Sequence, residues 1–135
     1  MGEVFEVKNV DLKVGDKMKI KGKIADDASR FCLDMGKDSQ ELGLHFNPRF
    51  HDDVDGAVIV CNSKRGGCWG SEQRDPNFPF QKGEMVKFTV KVLSDCFEIE
   101  LPSGHIVAFP NHLSLDKISY IRVKGDFKVL SFKFD

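Results

Sequence analysis

The chain has 135 residues, so we expect one domain spanning residues 1–135. Twenty basic and 21 acidic residues give a formal net charge of −1, which argues against a polybasic membrane patch or a nucleic-acid-binding footprint. The 12 Phe residues, many β-branched residues and scarce Ala favour strands over helices, and no apolar run approaches the ~18 residues of a membrane span. The composition therefore predicts an all-β protein.

The N-terminal residues show no targeting signal. No basic stretch precedes an apolar one, as a secretory signal requires. Glu6 stands where a myristoylation signal at Gly2 would need Ser or Thr. We therefore expect a protein that is made in the cytosol and is present both in the cytoplasm and, through export without a signal peptide, outside the cell.

The four cysteines are Cys32, Cys61, Cys68 and Cys96. They form no C-x-x-C pair and have no zinc-ligand spacing with the four histidines. We expect reduced thiols, no metal and no cofactor. The alternative for the thiols is sensitivity to oxidation outside the cytosol. Cys68, beside the Gly66-Gly67 turn, is the thiol that we expect to be exposed.

Short segments with alternating apolar and polar residues follow one another along the chain, separated by turn residues. In residues 17–24, Met18, Ile20 and Ile24 face one way while lysines face the other. Further strands are predicted at 30–34, 42–50, 57–62, 86–92, 97–101, 105–109, 118–124 and 127–134. Residues 114–117 could hold one helical turn. This pattern is typical of an antiparallel β-sandwich.

The two chain ends carry apolar residues on both faces of a regular strand. In the last segment, Phe127 and Val129 would point to one side and Leu130, Phe132 and Phe134 to the other. Residues 4–7 likewise leave little polar face. Terminal strands commonly lie at sheet edges, so the pattern predicts edges covered by a second subunit. The alternative is ordinary core packing with an irregular register.

Seven side chains suited to holding a sugar lie on neighbouring predicted strands and loops: His45, Asn47, Arg49, Asn62, Trp69, Glu72 and Arg74. The first three alternate along one strand and therefore share a face. Imidazole, amide, guanidinium and carboxylate groups offer donors and acceptors in fixed directions, and an indole offers a surface for sugar C–H groups. Taken singly, these residues suit a solvated strand face, a packing Trp and an exposed ion pair. Together they predict a galactose site, in which Glu72 bridges Arg49 and Arg74.

The chain resembles the galectins, the soluble β-galactoside-binding lectins. The matching motifs are His45-Phe46-Asn47-Pro48-Arg49, Val60-Cys61-Asn62 and Trp69-Gly70-Ser71-Glu72-Gln73-Arg74, with further matches at 78–81, 101–104, 109–111 and 125–127. The resemblance covers essentially the whole chain and is to the prototype, single-domain type. It implies a jelly-roll β-sandwich of two antiparallel sheets, recognition of lactose and N-acetyllactosamine, and a homodimer formed through terminal strands.

The resemblance also implies a role for each site residue. His45, Asn47 and Arg49 would bind the galactose 4-hydroxyl, and Asn62 and Glu72 the 6-hydroxyl. Trp69 would stack on the galactose ring, while Arg49, Glu72 and Arg74 would reach the next sugar. Asp53 departs from the family pattern, since some prototype members have His there, which leaves the preference for extended glycans open. Asp55 is free to pair with Arg74.

Two alternatives belong to other functional classes. Glu72 with Asp55 could mimic the two carboxylates of a glycosidase, but a Glu held between two arginines should stay ionised and be a poor general acid. The other alternative is a galectin-like interaction module whose sugar groove is idle. We expect a lectin and not an enzyme, because all seven groove residues are present.

Overall fold

The computed structural model describes residues 3–135, so Gly2 lies outside the described part. These residues form twelve strands and no helix. The strands are β1 (Glu3–Lys13), β2 (Lys17–Ile24), β3 (Phe31–Asp38), β4 (Glu41–Asp52), β5 (Gly56–Arg65), β6 (Cys68–Trp69), β7 (Gln73–Asp75), β8 (Met85–Val92), β9 (Cys96–Glu100), β10 (Ile106–Pro110), β11 (Lys117–Gly125) and β12 (Phe127–Phe134). Within 3–135, no helix could cross a bilayer.

The strands pair into two antiparallel sheets. One sheet has the order β1-β11-β3-β4-β5-β6, with β7 also paired to β5, and the other has the order β10-β9-β8-β2-β12. Every predicted strand is present, although β3, β4 and β5 extend beyond their predicted bounds. The predicted all-β class with two antiparallel sheets is therefore confirmed.

The core lies between the sheets and is rich in Phe. The apolar residues of β4 and β8 that alternate with polar ones are buried, as their period of two predicts. Phe31 stacks on Phe127 with ring centroids 4.7 Å apart, and Phe80 and Phe88 pack edge-on or tilted against the same group. Because Leu44 and Phe46 of β4 point into this core, His45 and Asn47 must point away from it.

Both chain ends lie at sheet edges, as predicted. β1 is an edge strand of the larger sheet and β12 of the smaller one, and the Phe5 and Phe132 rings meet at 5.6 Å where the two edges approach each other. The predicted face assignment of β12 is wrong. A bulge lies between Val129 and Ser131, so Leu130 is an extra residue and Phe132 returns to the side of Phe127.

The loop at 114–117 is not the helical turn that we considered. Asn111 holds this loop instead: its side-chain amide donates to the Leu115 carbonyl at 2.8 Å and its side-chain oxygen accepts from the Leu115 amide at 3.1 Å. Ser114 adopts φ of 51°, in the left-handed region. The Asn111 side chain thus makes hydrogen bonds to Leu115 in place of the backbone hydrogen bond of a helical turn.

Candidate functional site

A groove of about 610 Å³ crosses the outer face of the larger sheet. Six of the seven predicted site residues line it: His45, Asn47, Arg49, Asn62, Trp69 and Glu72. Strands β4 and β5 bring the first four together, since His45 lies opposite Asn62 in the antiparallel register. Trp69 comes from β6, which pairs with β5, and Glu72 from the segment between β6 and β7. Arg74 is outside the lining but binds Glu72, with Nη2 and Oε1 3.1 Å apart.

His45 is oriented by a carboxylate that the sequence analysis missed. Its Nδ1 lies 2.6 Å from Oδ1 of Asp34, a buried residue of β3. A carboxylate only accepts, so Nδ1 carries the proton and Nε2 is an acceptor whenever the ring is neutral. The other Asp34 oxygen accepts from Nε and Nη2 of Arg122 at 3.1 and 2.8 Å.

Asp34 remains ionised in this setting. Burial alone would raise its pKa, but the hydrogen bonds and positive charge of His45 and Arg122 outweigh burial and lower the pKa below its usual value. Asp34 contacts residues that are distant in the sequence: His45 lies 11 positions away and Arg122 lies 88 positions away. In the sequence, Asp34 was an ordinary polar residue of a strand, and only the pairing of β3 with β4 and β11 gives it this role.

The two asparagines are fixed by neighbouring atoms. Asn47 donates from Nδ2 to the Phe31 carbonyl at 2.8 Å and accepts from Nε of Arg49 at 2.9 Å. Asn62 accepts from the Ser63 amide at 2.8 Å, which assigns its Oδ1 and leaves its amide nitrogen as the donor. Both side chains are buried but border the groove, so their orientation is set before a ligand arrives.

Four charged residues form a closed ring at one end of the groove: Arg49, Asp52, Arg74 and Glu72. We call these four residues the charge ring. Asp52 accepts from Nη1 of Arg49 and of Arg74, both at 2.9 Å. Glu72 approaches Arg49 at 3.8 Å and Arg74 at 3.1 Å. The predicted bridge through Glu72 is thus present, and so is the expected contact of Asp55 with Arg74, at 2.8 Å.

Asp52 is the second residue that the sequence analysis missed. Hydrogen bonds from Arg74, from the Asp55 backbone amide and from Arg49 hold its pKa well below the usual range. The bonds to Asp55 and Asp52 raise the pKa of the Arg74 guanidinium above its ordinary value. Positive and negative groups alternate around the ring, so both guanidinium forks keep a fixed direction.

Trp69 stands at the side of the groove with 51% of its surface exposed. Its ring lies 4.6 Å from the His45 ring and Nζ of Lys64 lies 4.9 Å from its centroid. The preceding turn needs φ of 57° at Gly66 and 80° at Gly67, values that favour glycine. This turn brings β6 alongside β5 and leaves the indole accessible to a ligand.

One group of side chains has the composition of a metal site but a poor chemical fit. The possible ligand atoms of Cys32, Asp34 and His45 lie within 4.8 Å of one another. Burial, followed by the charge of Asp34, raises the pKa of Cys32 to about 12, so the thiol stays protonated. Both Asp34 oxygens are occupied by His45 and Arg122. Within this group, Asp34 orients His45.

The predicted exposure of Cys68 is confirmed. Cys68 is exposed, Cys61 is buried and Cys96 is partly buried, and all four cysteines are free. Burial raises the pKa of Cys61 to about 12. Cys68 lies next to Trp69 but is not one of the residues that line the groove.

Comparison with known proteins agrees with this geometry. The galactoside-binding lectin family matches residues 4–134. Galectin-2 of Homo sapiens is 47% identical over 129 residues, which cover 96% of this chain and 95% of that protein. Two solved structures are also similar: CG-16, a homodimeric agglutinin from chicken liver (TM-score 0.94, 42% identity, 98% and 100% coverage), and toad ovary galectin in complex with thio-digalactose (TM-score 0.93, 35% identity, 98% of each chain).

The fold and the groove together define a β-sandwich lectin, a class that binds carbohydrate without transforming it. The chain belongs to the galactoside-binding lectins, and its resemblance to the prototype galectins is confirmed.

Proposed function

We propose that this protein binds the terminal galactose of lactose and N-acetyllactosamine in the groove, and that a homodimer cross-links the glycans that carry them. A single carbohydrate-recognition domain, residues 1–135, performs this function. The observation that carries the proposal is the convergence of fixed polar groups from β4 and β5 beside an exposed indole. A ligand finds these groups already oriented, which lowers the entropic cost of binding.

Each site residue has a proposed role. His45, Asn47 and Arg49 bind the 4-hydroxyl of galactose, where the acceptor Nε2 and the guanidinium donors of Arg49 favour an axial oxygen. Asn62 and Glu72 bind the 6-hydroxyl, and Trp69 stacks on the apolar face of the ring. Arg49, Glu72 and Arg74 reach the second sugar. The charge ring supports this assignment because it fixes both guanidinium groups at one end of the groove.

The dimer would form through the terminal strands. Val4, Leu130 and Phe134 are exposed apolar residues on β1 and β12, which lie at neighbouring sheet edges. CG-16, which shares the fold, is described as homodimeric. A neutral disaccharide exchanges water hydrogen bonds for protein ones at modest gain, so one groove binds weakly. Two grooves on one particle raise the apparent affinity for clustered glycans.

Retention on lactosyl-agarose tests the binding proposal. We expect the protein to be retained and to elute with free lactose but not with sucrose. Failure to be retained would favour a galectin-like interaction module with an idle groove. Release of galactose from lactose on long incubation would favour the glycosidase alternative instead.

The site of action is proposed to include both the cytoplasm and the extracellular space. The four free cysteines suit a reducing compartment. We expect cells that express the protein to release it when vesicular secretion is blocked. Release that stops under that block would contradict this proposal.

A further inference from the structure

The outer face of the smaller sheet carries a dense band of lysines. Eight of them lie on three neighbouring strands: Lys17, Lys19, Lys21 and Lys23 on β2, Lys87 and Lys91 on β8, and Lys128 and Lys133 on β12. We call these eight residues the lysine band. It lies on the side of the sandwich opposite the sugar groove, in a chain whose formal net charge is only −1.

The lysines face one another directly across the strands. The register places Lys17 opposite Lys91, Lys21 opposite Lys87, Lys23 opposite Lys128 and Lys19 opposite Lys133. Like charges at directly opposite positions of a sheet destabilise it. Four such lysine pairs therefore lower the stability of the sheet, and a bound anion would reduce the repulsion between them.

Few acidic groups neutralise the band. Among residues 3–135, Lys19 pairs with Asp135 at 3.6 Å and Lys23 with Asp26 at 3.4 Å, and the other six have no ion pair within 4.0 Å. Both pairs are exposed at the surface, where an ion pair contributes little. The positive potential of the band therefore remains available to a partner.

The shape of the band favours a linear polyanion. Alternate residues of a strand lie about 6.7 Å apart and neighbouring strands about 4.8 Å apart, so the β2 row runs roughly 20 Å with lysines flanking both sides. On the β9 side, Glu98 lies opposite Lys91 and Glu100 opposite Thr89. This acidic border would repel a broad anionic membrane but leaves a strip along β2 open to a narrow chain.

The side-chain chemistry of the band favours one class of linear polyanion over another. Its outward side chains on β2 and β8 are lysines together with Met85 and Thr89, and they include neither an aromatic ring nor an arginine. Single-stranded nucleic acids bind through stacking on aromatic or guanidinium surfaces as well as through phosphate charge. Ammonium groups without stacking surfaces suit sulfate and carboxylate groups on a polysaccharide.

We propose that the lysine band binds a linear sulfated polysaccharide of the glycosaminoglycan type, lying along β2. Because the groove and the band are on opposite outer faces, one protomer holds a galactoside and a polyanion at the same time. This site stands independently of the proposed galactose site. It would anchor the lectin to a sulfated matrix while the groove remains free.

A defined heparin octasaccharide, titrated into the intact protein at several salt concentrations, tests this proposal. The test variant combines Lys21→Gln, Lys87→Gln and Lys91→Gln. The matched control combines Lys13→Gln, Lys37→Gln and Lys117→Gln, exposed lysines of the larger sheet that remove the same charge. We expect about tenfold or greater loss of heparin affinity in the test variant, with the salt dependence (log K against log salt) reduced by about two, and less than twofold loss in the control.

Three further measurements distinguish heparin binding at the lysine band from binding in the sugar groove and from a general affinity for polyanions. Lactose should not displace heparin, and lactose affinity should be the same in the parent and both triple variants. Heparin should raise the unfolding temperature of the parent more than that of the test variant. Without heparin, the unfolding temperature of the test variant should equal or exceed that of the parent. Equal loss in both variants, displacement by lactose, or stronger binding to polyuridylate or to phosphatidylserine vesicles than to heparin would overturn the proposal.

Discussion

The two outer faces of the sandwich use charge in opposite ways. On the groove face, every guanidinium of the charge ring has a carboxylate partner, and Asp34 joins His45 to Arg122. On the opposite face, lysines stand against lysines with few partners. Both faces are made from strands with the same period of two, so the difference lies in which residues the register brings together.

The contrast shows what each kind of ligand requires. A neutral sugar offers hydroxyls with fixed directions, so its site needs donors and acceptors that are held still before binding. Paired charges supply that rigidity, and they leave little net potential for attracting ions. A polyanion needs potential more than direction, which flexible lysines provide.

Arg49→Ala should cause the largest loss of lactose binding. It removes the donors that the proposed site offers to two sugars and opens the charge ring between Asp52 and Glu72. Hydrogen bonds to a charged group contribute about 1.5–3 kcal/mol each, so we expect roughly 100-fold weaker binding by calorimetry. Arg49→Lys should restore little of the lost lactose affinity, because an ammonium cannot contact Asn47 and Asp52 with fixed geometry. Full affinity in either variant would show that Arg49 is outside the site.

Trp69→Ala should weaken lactose binding about tenfold or more, because the stacking surface disappears. The indole is half exposed, so the unfolding temperature should change little. Trp69→Phe is the matched control and should retain part of the affinity through its smaller ring. If the alanine variant bound lactose as well as the parent, the stacking role would be wrong.

Asp34→Asn should weaken lactose binding several-fold through the orientation of His45. The substitution also leaves Arg122 without its buried counter-ion, and we expect a loss of about 3 kcal/mol in the free energy of unfolding. Urea unfolding and lactose titration measure the two effects. A stability loss with unchanged lactose affinity would limit Asp34 to a structural role.

The same variant has a defined pH signature. The pKa of Asp34 is lower in the folded protein than the ordinary Asp value of about 3.9, so its stabilisation is complete above that value and is lost as the pH falls through the folded-state pKa. The parent should therefore lose stability below about pH 4 more steeply than Asp34→Asn. Parallel curves for the two proteins between pH 6 and 2 would contradict this assignment.

Val4→Glu combined with Leu130→Glu should leave the affinity of a single groove for lactose within twofold while abolishing haemagglutination. Both side chains are exposed on terminal edge strands, where buried carboxylates would oppose a dimer. Sedimentation velocity should then show a monomer. Val54→Glu with Ile106→Glu, two exposed apolar residues away from these edges, is the control and should remain dimeric. Equal dissociation of both pairs would place the interface elsewhere.

Local patterns in the sequence predicted much of the fold and six of the residues that line the groove. The alternation in β2 and β8 fixed which residues are buried, and the spacing of His45, Asn47 and Arg49 predicted their common face. The sequence did not predict the roles of Asp34 and Asp52, because these roles arise from contacts between strands or within a loop turn. The β12 faces were wrong because a bulge at Leu130 shifts the period by one residue. The alternation in residues 17–24 placed those lysines on one face, but only the register of the sheet sets them beside the lysines of β8 and β12.

A structure of the protein with bound lactose would show whether the groove is a galactose site. We expect galactose in the groove with its ring on Trp69, its 4-oxygen within hydrogen-bond distance of His45, Asn47 and Arg49, and its second sugar toward Arg74. Lactose bound on another face, or in the groove with galactose turned away from Trp69, would contradict this expectation.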